Sequence, residues 1–322
     1  MQRKGSNRNT LIGALIILAI IYSIATFAVS AFFINAGQTG NGRSVSSMLW
    51  FIAAVIIASA GFMYAIFTTA RKRIRMSRFA QVNGFVFLQN IDNPQHAGII
   101  FHEGDSRKIE AGFIMKSQAG KEVELGEYSY MMGSGKNRHS VHYGYVRIEL
   151  ARQLPHLVLD ARSNNLFGRL SNLPDSFSRS QRLELEGDFN SYFDLYVPGA
   201  YERDALYIMT PDIMAALIDG AKAYDMEIID SQLFIYSTVP FQLHQQTALQ
   251  KLFTLTATIG KELNEQVDFY ADERVGDRSV NIIAAPGRRL KKGFNWITII
   301  IIVFVVLYFA SQIWGTVFFW GR

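Results

Sequence analysis

Histidine is where this chain first invites a chemical reading. His139 and His142 flank Ser140 and Val141, and His156 follows in the same stretch. On a helix, a His-x-x-His spacing would turn two imidazoles to one side, as a zinc site needs. The residues around them alternate instead. Val141, Tyr143, Tyr145, Arg147 and Glu149 share one face of a strand, and His142, Val146, Ile148 and Leu150 share the other. Three-residue spacing on a strand sends two side chains to opposite faces. With no Glu or third His in frame, no metal is expected here. Gly133-Ser134-Gly135-Lys136 has the look of a phosphate loop. Such a loop needs Gly-x-x-x-x-Gly-Lys-Ser/Thr between a strand and a helix, so that backbone N–H groups hold the phosphates. Lys136 is followed by Asn137 and then by strand-like chain, so a hairpin turn is expected. Glu103 and Asp105 put two carboxylates in one loop, without the other ligand positions of a calcium loop. Glu184, Glu186 and Asp188 alternate and read as a wet strand face rather than an acid–base pair. No Ser stands in a Gly-x-Ser-x-Gly elbow. There is no cysteine at all, which excludes disulfides, thiolate metal sites and Cys nucleophiles. Catalytic residues stay unassigned, and no cofactor is expected.

The elements that would carry these residues fall into a polar middle between greasy ends. Three apolar runs, 11–35, 48–70 and 296–319, contain no charged residue. Each is long enough to cross a hydrocarbon core of roughly 30 Å as a helix. The sequence therefore predicts an integral membrane protein with three transmembrane helices and a soluble α+β domain, its sheet largely antiparallel, with two late helices. The expected divisions are a basic segment and helical hairpin over 1–78, the domain over 79–286, and a basic juxtamembrane segment with the third span over 287–322.

Charge sets the expected orientation. All 27 acidic residues lie between Asp92 and Asp277. Residues 79–287 hold 18 of the 32 Lys and Arg, so that stretch carries about −9. The other 14 sit at the spans: Arg3, Lys4 and Arg8 before the first; Arg71, Lys72, Arg73, Arg75 and Arg78 after the second; Arg288, Arg289, Lys291 and Lys292 before the third; with only Arg43 between the first two and Arg322 after the third. Lys and Arg near span ends favour the cytoplasmic side. That places a multi-pass protein in the cell (cytoplasmic) membrane, with the N-terminus and main domain inside and the C-terminus external. Ala28-Val29-Ser30-Ala31 would suit cleavage of a signal peptide, but the apolar run exceeds the usual 7–15 residues or so. Arg71, Lys72, Arg73, Arg75, Arg288, Arg289, Lys291 and Lys292 are the expected contacts with anionic lipid. With the basic charge beside the spans, nucleic acid is not an expected partner.

Within the domain, short β-like runs are expected at 85–88, 98–101, 108–115, 121–131, 140–150, 157–159, 182–186, 193–197, 205–209, 227–229 and 233–236. Asp230-Ser231-Gln232 reads as a hairpin turn. Thr210-Pro211-Asp212 starts a helix: Thr as N-cap, Pro in the first turn, then an acid. A longer helix is expected over 242–266, with Leu249, Leu252, Phe253, Thr256, Ile259, Leu263 and Val267 at helical spacing.

Several of these stretches resemble a known group. Leu183-Glu184-Leu185-Glu186-Gly187-Asp188-Phe189-Asn190, then Phe193-Asp194-Leu195-Tyr196, then Ala205 to Met214 around Thr210-Pro211, then Leu233-Phe234-Ile235-Tyr236 are similar to uncharacterised bacterial membrane-associated domains of unknown function. Phe79-Ala80-Gln81-Val82-Asn83-Gly84-Phe85 and Leu154-Pro155-His156-Leu157 look like that group more weakly. The resemblance implies membrane association and no particular activity. The leading functional expectation is a membrane-tethered cytoplasmic binding or scaffolding module, with a protein partner or a second copy of itself. Two others stay open: a membrane-bound enzyme whose site is spread over loops, and a subunit of a membrane transport assembly.

Overall fold

The computed structural model describes residues 22–24, 27–28, 31, 43–117, 120–165, 171–277, 279–293 and 303–308. The chain divides into two compact units, Met1–Arg78 and Phe79–Arg322.

In the first unit the main element is α1, Arg43–Asn83, which runs on into the second. Its part Ile52–Asn83 is long and apolar enough to cross a membrane, and none of its most apolar window is buried. Trp50, Ile56, Ile57, Tyr64 and Phe67 all stand exposed on it. The helical exit expected after residue 70 is therefore the same helix, carrying Arg71, Lys72, Arg73, Arg75 and Arg78 on its last turns. This corrects the expected fold. Among the described residues there is one candidate membrane helix, not three. The first expected span, 11–35, and the third, 296–319, fall mostly outside the described residues. Three spans are therefore not supported among the described residues. The multi-pass arrangement with an external C-terminus goes with them.

The second unit is built on an antiparallel sheet: β1 Val86–Asp92, β2 Asp105–Lys116, β3 Glu122–Met132, β4 His139–Ala161, β5 Arg182–Leu183, β6 Phe193–Tyr196 and β7 Asp225–Ser237. The strand order is β1-β2-β3-β4-β6-β5, with β7 on the other side of β4. Three helices complete it: α2 Glu202–Ile208, α3 Pro211–Ala221 and α4 Gln246–Val267. The expected strand at 205–209 is thus helix α2, so the late helices number three. Glu202 and Asp204 in its first turn favour the positive end of a helix. The expected strand at 98–101 is a 3-10 turn, Ile99–His102. The hairpin expected at Asp230 is one strand running through, because Asp230 takes a positive φ of 54° inside β7. At the facing position β4 bulges between Glu149 and Leu154. Its freed N–H groups are not left bare: Ala151 donates to Asn264 Oδ1 and Gln153 to Asn281 Oδ1, both at 2.8 Å.

Each sheet face has its own cover. Leu249, Leu252, Leu255, Ile259, Leu263 and Val267 of α4 are buried, and Ile148 of β4 lies beneath Gly260. On the opposite face Tyr128, Tyr130, Tyr143, Tyr145, Phe234 and Tyr236 pack with Ile99, Ile100, Phe101 and Leu290. Gly126 leaves the space that the Tyr145 ring fills. The stretch 279–293 closes the domain. Gln181 clasps the Lys291 backbone at both N–H and C=O, each at 2.9 Å. Gly293 donates to Ser176 O at 2.7 Å. The packed body therefore continues beyond residue 286.

Candidate functional site

The aromatic face of the sheet is crossed by buried charge, and β4 supplies a member to every group. At one end Glu124 of β3 faces Arg147 of β4 as a cross-strand pair. Arg147 Nη2 reaches Glu124 at 2.9 Å, and also bonds Glu122. His96 Nε2 lies 3.1 Å from Glu124, and the Tyr145 hydroxyl donates to the same carboxylate. Burial works to raise the Glu124 carboxyl, but His96, Tyr145 and Arg147 together outweigh it and hold it down at about 2. This carboxylate is fixed in its charged form.

In the middle, Glu227 of β7 is 1% exposed and accepts three donors. Ile99 N–H lies at 2.7 Å, the Tyr236 hydroxyl at 2.6 Å and His156 Nε2 at 2.9 Å. Leu290 N–H donates to His156 Nδ1 at 3.0 Å, which leaves the Nε2 proton to point at Glu227. The group joins β7, β4, the 3-10 turn and the closing stretch. Its donors are all used internally, so it fastens the domain rather than offering a reactive atom.

At the far end three carboxylates form one row across β6, β4 and β7. Asp194 pairs with Asp160 in register, and the Leu159–Met226 pair sets Asp225 beside Asp160 on the other side. Asp194 is held by Arg162 at 2.7 Å and Arg182 at 2.8 Å. Asp160 and Asp225 are 3% and 1% exposed. Burial pushes the Asp225 carboxyl up to about 7; the Ala161 N–H opposes this and the charge of Asp160 adds to it. Burial raises Asp160 too, against hydrogen bonds from Ser171 and Asn165. Paired carboxylates with raised pKa values are a mark of functional sites.

The residues expected from the sequence lie elsewhere. His139 and His142 are exposed on β4, and His142 faces Glu110 at 3.5 Å. Lys136 is exposed in the hairpin between β3 and β4. Asp105 pairs with Arg138 at 2.6 Å. Glu184, Glu186 and Asp188 are exposed, but the strand there ends at Leu183, so they do not form one strand face. Among the described residues no three His, Cys, Asp or Glu group to hold a metal.

The basic residues of both collars are described. Arg71, Lys72 and Arg75 are exposed on α1 and Arg73 is half-buried. Arg288, Arg289, Lys291 and Lys292 are exposed along the closing stretch, where Arg289 pairs with Asp230 at 3.1 Å and Lys292 with Asp175 at 2.7 Å.

No protein-family model and no curated protein matches the chain. One solved structure, that of the mycobacterial trehalose monomycolate transport factor A (TtfA), aligns at a TM-score of 0.39 and 12% identity. The alignment covers 61% of this chain and 93% of that one. A likeness so slight carries nothing over to this chain.

Asp160, Asp225, Glu227 and Glu124 are absent from the sequence reading, although one signal was available. Leu157-Val158-Leu159-Asp160-Ala161 and Met226-Glu227-Ile228-Ile229 each set an acid inside an otherwise apolar β run. A charge there is either on a wet face or buried with partners. Only the neighbouring strands decide which.

Proposed function

We propose that this chain is a membrane-tethered module whose sheet domain works as a binding or scaffolding unit at the cytoplasmic face. The observation that carries this is α1. It is apolar and exposed from Ile52, then turns basic at Arg71–Arg78 without a break in the helix. An exposed apolar helix needs lipid or protein around it, and the cationic end favours the cytoplasmic side. The motifs that resemble bacterial membrane-associated domains, spread over most of 79–240, support this reading.

Arg71, Lys72, Arg73 and Arg75 then contact anionic headgroups, each contributing about 1 kcal/mol near such a surface. In the second unit, Arg288 and Lys291 of the closing stretch make lipid contacts of the same kind. Arg289 and Lys292 contribute less, because their charges are already met by Asp230 and Asp175. A binding role fits the polar groups at Glu124 and Glu227, which are internally satisfied.

The natural chain has no cysteine, so one introduced thiol reports its own position cleanly. Lys136→Cys, in the exposed β3–β4 hairpin, should resist a membrane-impermeant maleimide in intact cells and react after permeabilisation. The membrane fraction should retain the protein through alkaline carbonate washing. Labelling from outside would overturn the orientation, and release by carbonate would overturn the tether.

A further inference from the structure

The row of carboxylates at the end of β4 poses a problem of charge. Like charges directly opposite one another on a sheet are unfavourable. Asp194 is compensated by two arginines. Asp160 and Asp225 have no ion pair among the described residues, and both are buried. Asp225 Oδ1 accepts the Ala161 N–H at 2.8 Å, and its Oδ2 accepts Asn164 Nδ2 at 3.1 Å. These bonds position Asp225 without neutralising the pair.

A second observation stands beside the charge. Asp160 Oδ1, Asn164 Oδ1, and Asn172 Oδ1 and Nδ2 are buried and have no hydrogen-bond partner. Asp160 is 97% buried, from its 3% exposure. The Asn172 side chain stands near Asp225 and works to lower its carboxyl. Native interiors leave few polar atoms unmatched, and here one carboxylate oxygen and three amide atoms are unmatched in one neighbourhood. The available acceptors are all oxygen: two carboxylates and two amide carbonyls. Thiolate is absent, and His156, the one histidine in the second half of β4, is committed to Glu227 and Leu290. Oxygen-only donors with two negative charges suit a hard divalent ion rather than zinc or copper.

We propose that Asp160, Asp225, Asn164 and Asn172 form a binding site for a hard divalent cation of the calcium–magnesium class. The ion meets the charge of both carboxylates and the free lone pairs of both amides. It joins β4, β7 and the stretch after β4 at one point. The site does not depend on the membrane reading above.

Terbium tests it, because Tb³⁺ takes calcium-type sites and lights up beside tyrosine. Tyr143 is the antenna: its hydroxyl donates to Asn172 O at 3.4 Å. The full chain, in detergent micelles and stripped with chelator, should give saturable tyrosine-sensitised Tb³⁺ luminescence at one ion per chain. Excess Ca²⁺ or Mg²⁺ should displace it. Asp160→Asn and Asn172→Ala should each weaken binding by about tenfold or more, and Glu186→Gln, an exposed acid elsewhere, should leave it unchanged. Circular dichroism checks folding, and if Asp160→Asn does not fold, Asn172→Ala answers the same question. Luminescence that does not saturate, or that is equally strong in both variants, overturns the site. So does a wild-type melting temperature indifferent to Ca²⁺ and Mg²⁺ at pH 7.5 while Asp225→Asn melts higher, since that marks a pair sharing a proton instead.

Discussion

Glu124 and Asp225 lie on the same face of the sheet, and burial works to raise both carboxyls. Their neighbours send them in opposite directions. Glu124, held at about 2, sits below its ordinary 4.5. Its stabilising contribution is present above about pH 4.5 and is lost as pH falls through 2. Asp225, at about 7, sits above its ordinary 3.8. Its contribution is complete below about pH 4 and is lost as pH rises through 7. Glu124→Gln should therefore lower the melting temperature at pH 7 and lose most of its effect near pH 2. Breaking a buried pair of this kind costs about 3–5 kcal/mol. In chelator, Asp225→Asn should do the reverse: no gain at pH 4, and a gain at pH 8 of at most about 4 kcal/mol. Thermal melts across pH check both, and a flat profile for either variant would contradict the assignment.

Among the elements, α3 shows how far local chemistry can carry. Thr210 Oγ1 accepts the Ile213 N–H at 3.4 Å, and Pro211 and Asp212 fill the first turn. Thr210→Ala should cost about 0.5–2 kcal/mol, and Thr210→Asn should restore most of it, because Asn caps as well. Equal loss in both variants would show that the cap is not what Thr210 supplies. Strand β7 shows the opposite case. Glu227 and Ile229 face the aromatic side, and so do Phe234 and Tyr236, so the alternation changes phase at Asp230. β4 changes phase opposite it, from Tyr143 and Tyr145 to His156 and Val158. A phase change in a period of two looks like a strand end in sequence. That is why one strand reads as a hairpin, and why β4 reads as two strands.

For the molecule as a whole, the closing stretch decides where the domain ends. Ala284 N–H binds Asp272 at 2.8 Å, Leu290 is buried, and Lys291 is clasped by Gln181. Residues 79–293 should melt cooperatively. The same domain cut after Val280 loses the buried side chains of Ile283 and Leu290 and uncaps His156 and Asp272. Two such side chains are worth about 3–6 kcal/mol, or roughly 6–20 °C at this size. Calorimetry of the two lengths decides it, and equal melting temperatures would mean that the stretch is an ornament to the fold.

Features that depend on near neighbours were legible in the residues alone. They are the apolar helix running into a basic end, the Thr210 cap, the β3–β4 hairpin, the apolar stripe of α4, and the antiparallel sheet. Each rests on residues within a few positions of one another. Tertiary structure decided the rest. Of the three apolar runs, the second alone is a candidate membrane helix among the described residues. Ala205–Met209 has strand-like residues, yet the acids before it and its packing make it a helix. The buried carboxylates were beyond sequence for a plainer reason. Asp160, Asp194 and Asp225 lie far apart along the chain, and only the register of β6, β4 and β7 brings them side by side. Whether a charge is wet, paired or left uncompensated is a property of those neighbours, and no local pattern encodes it.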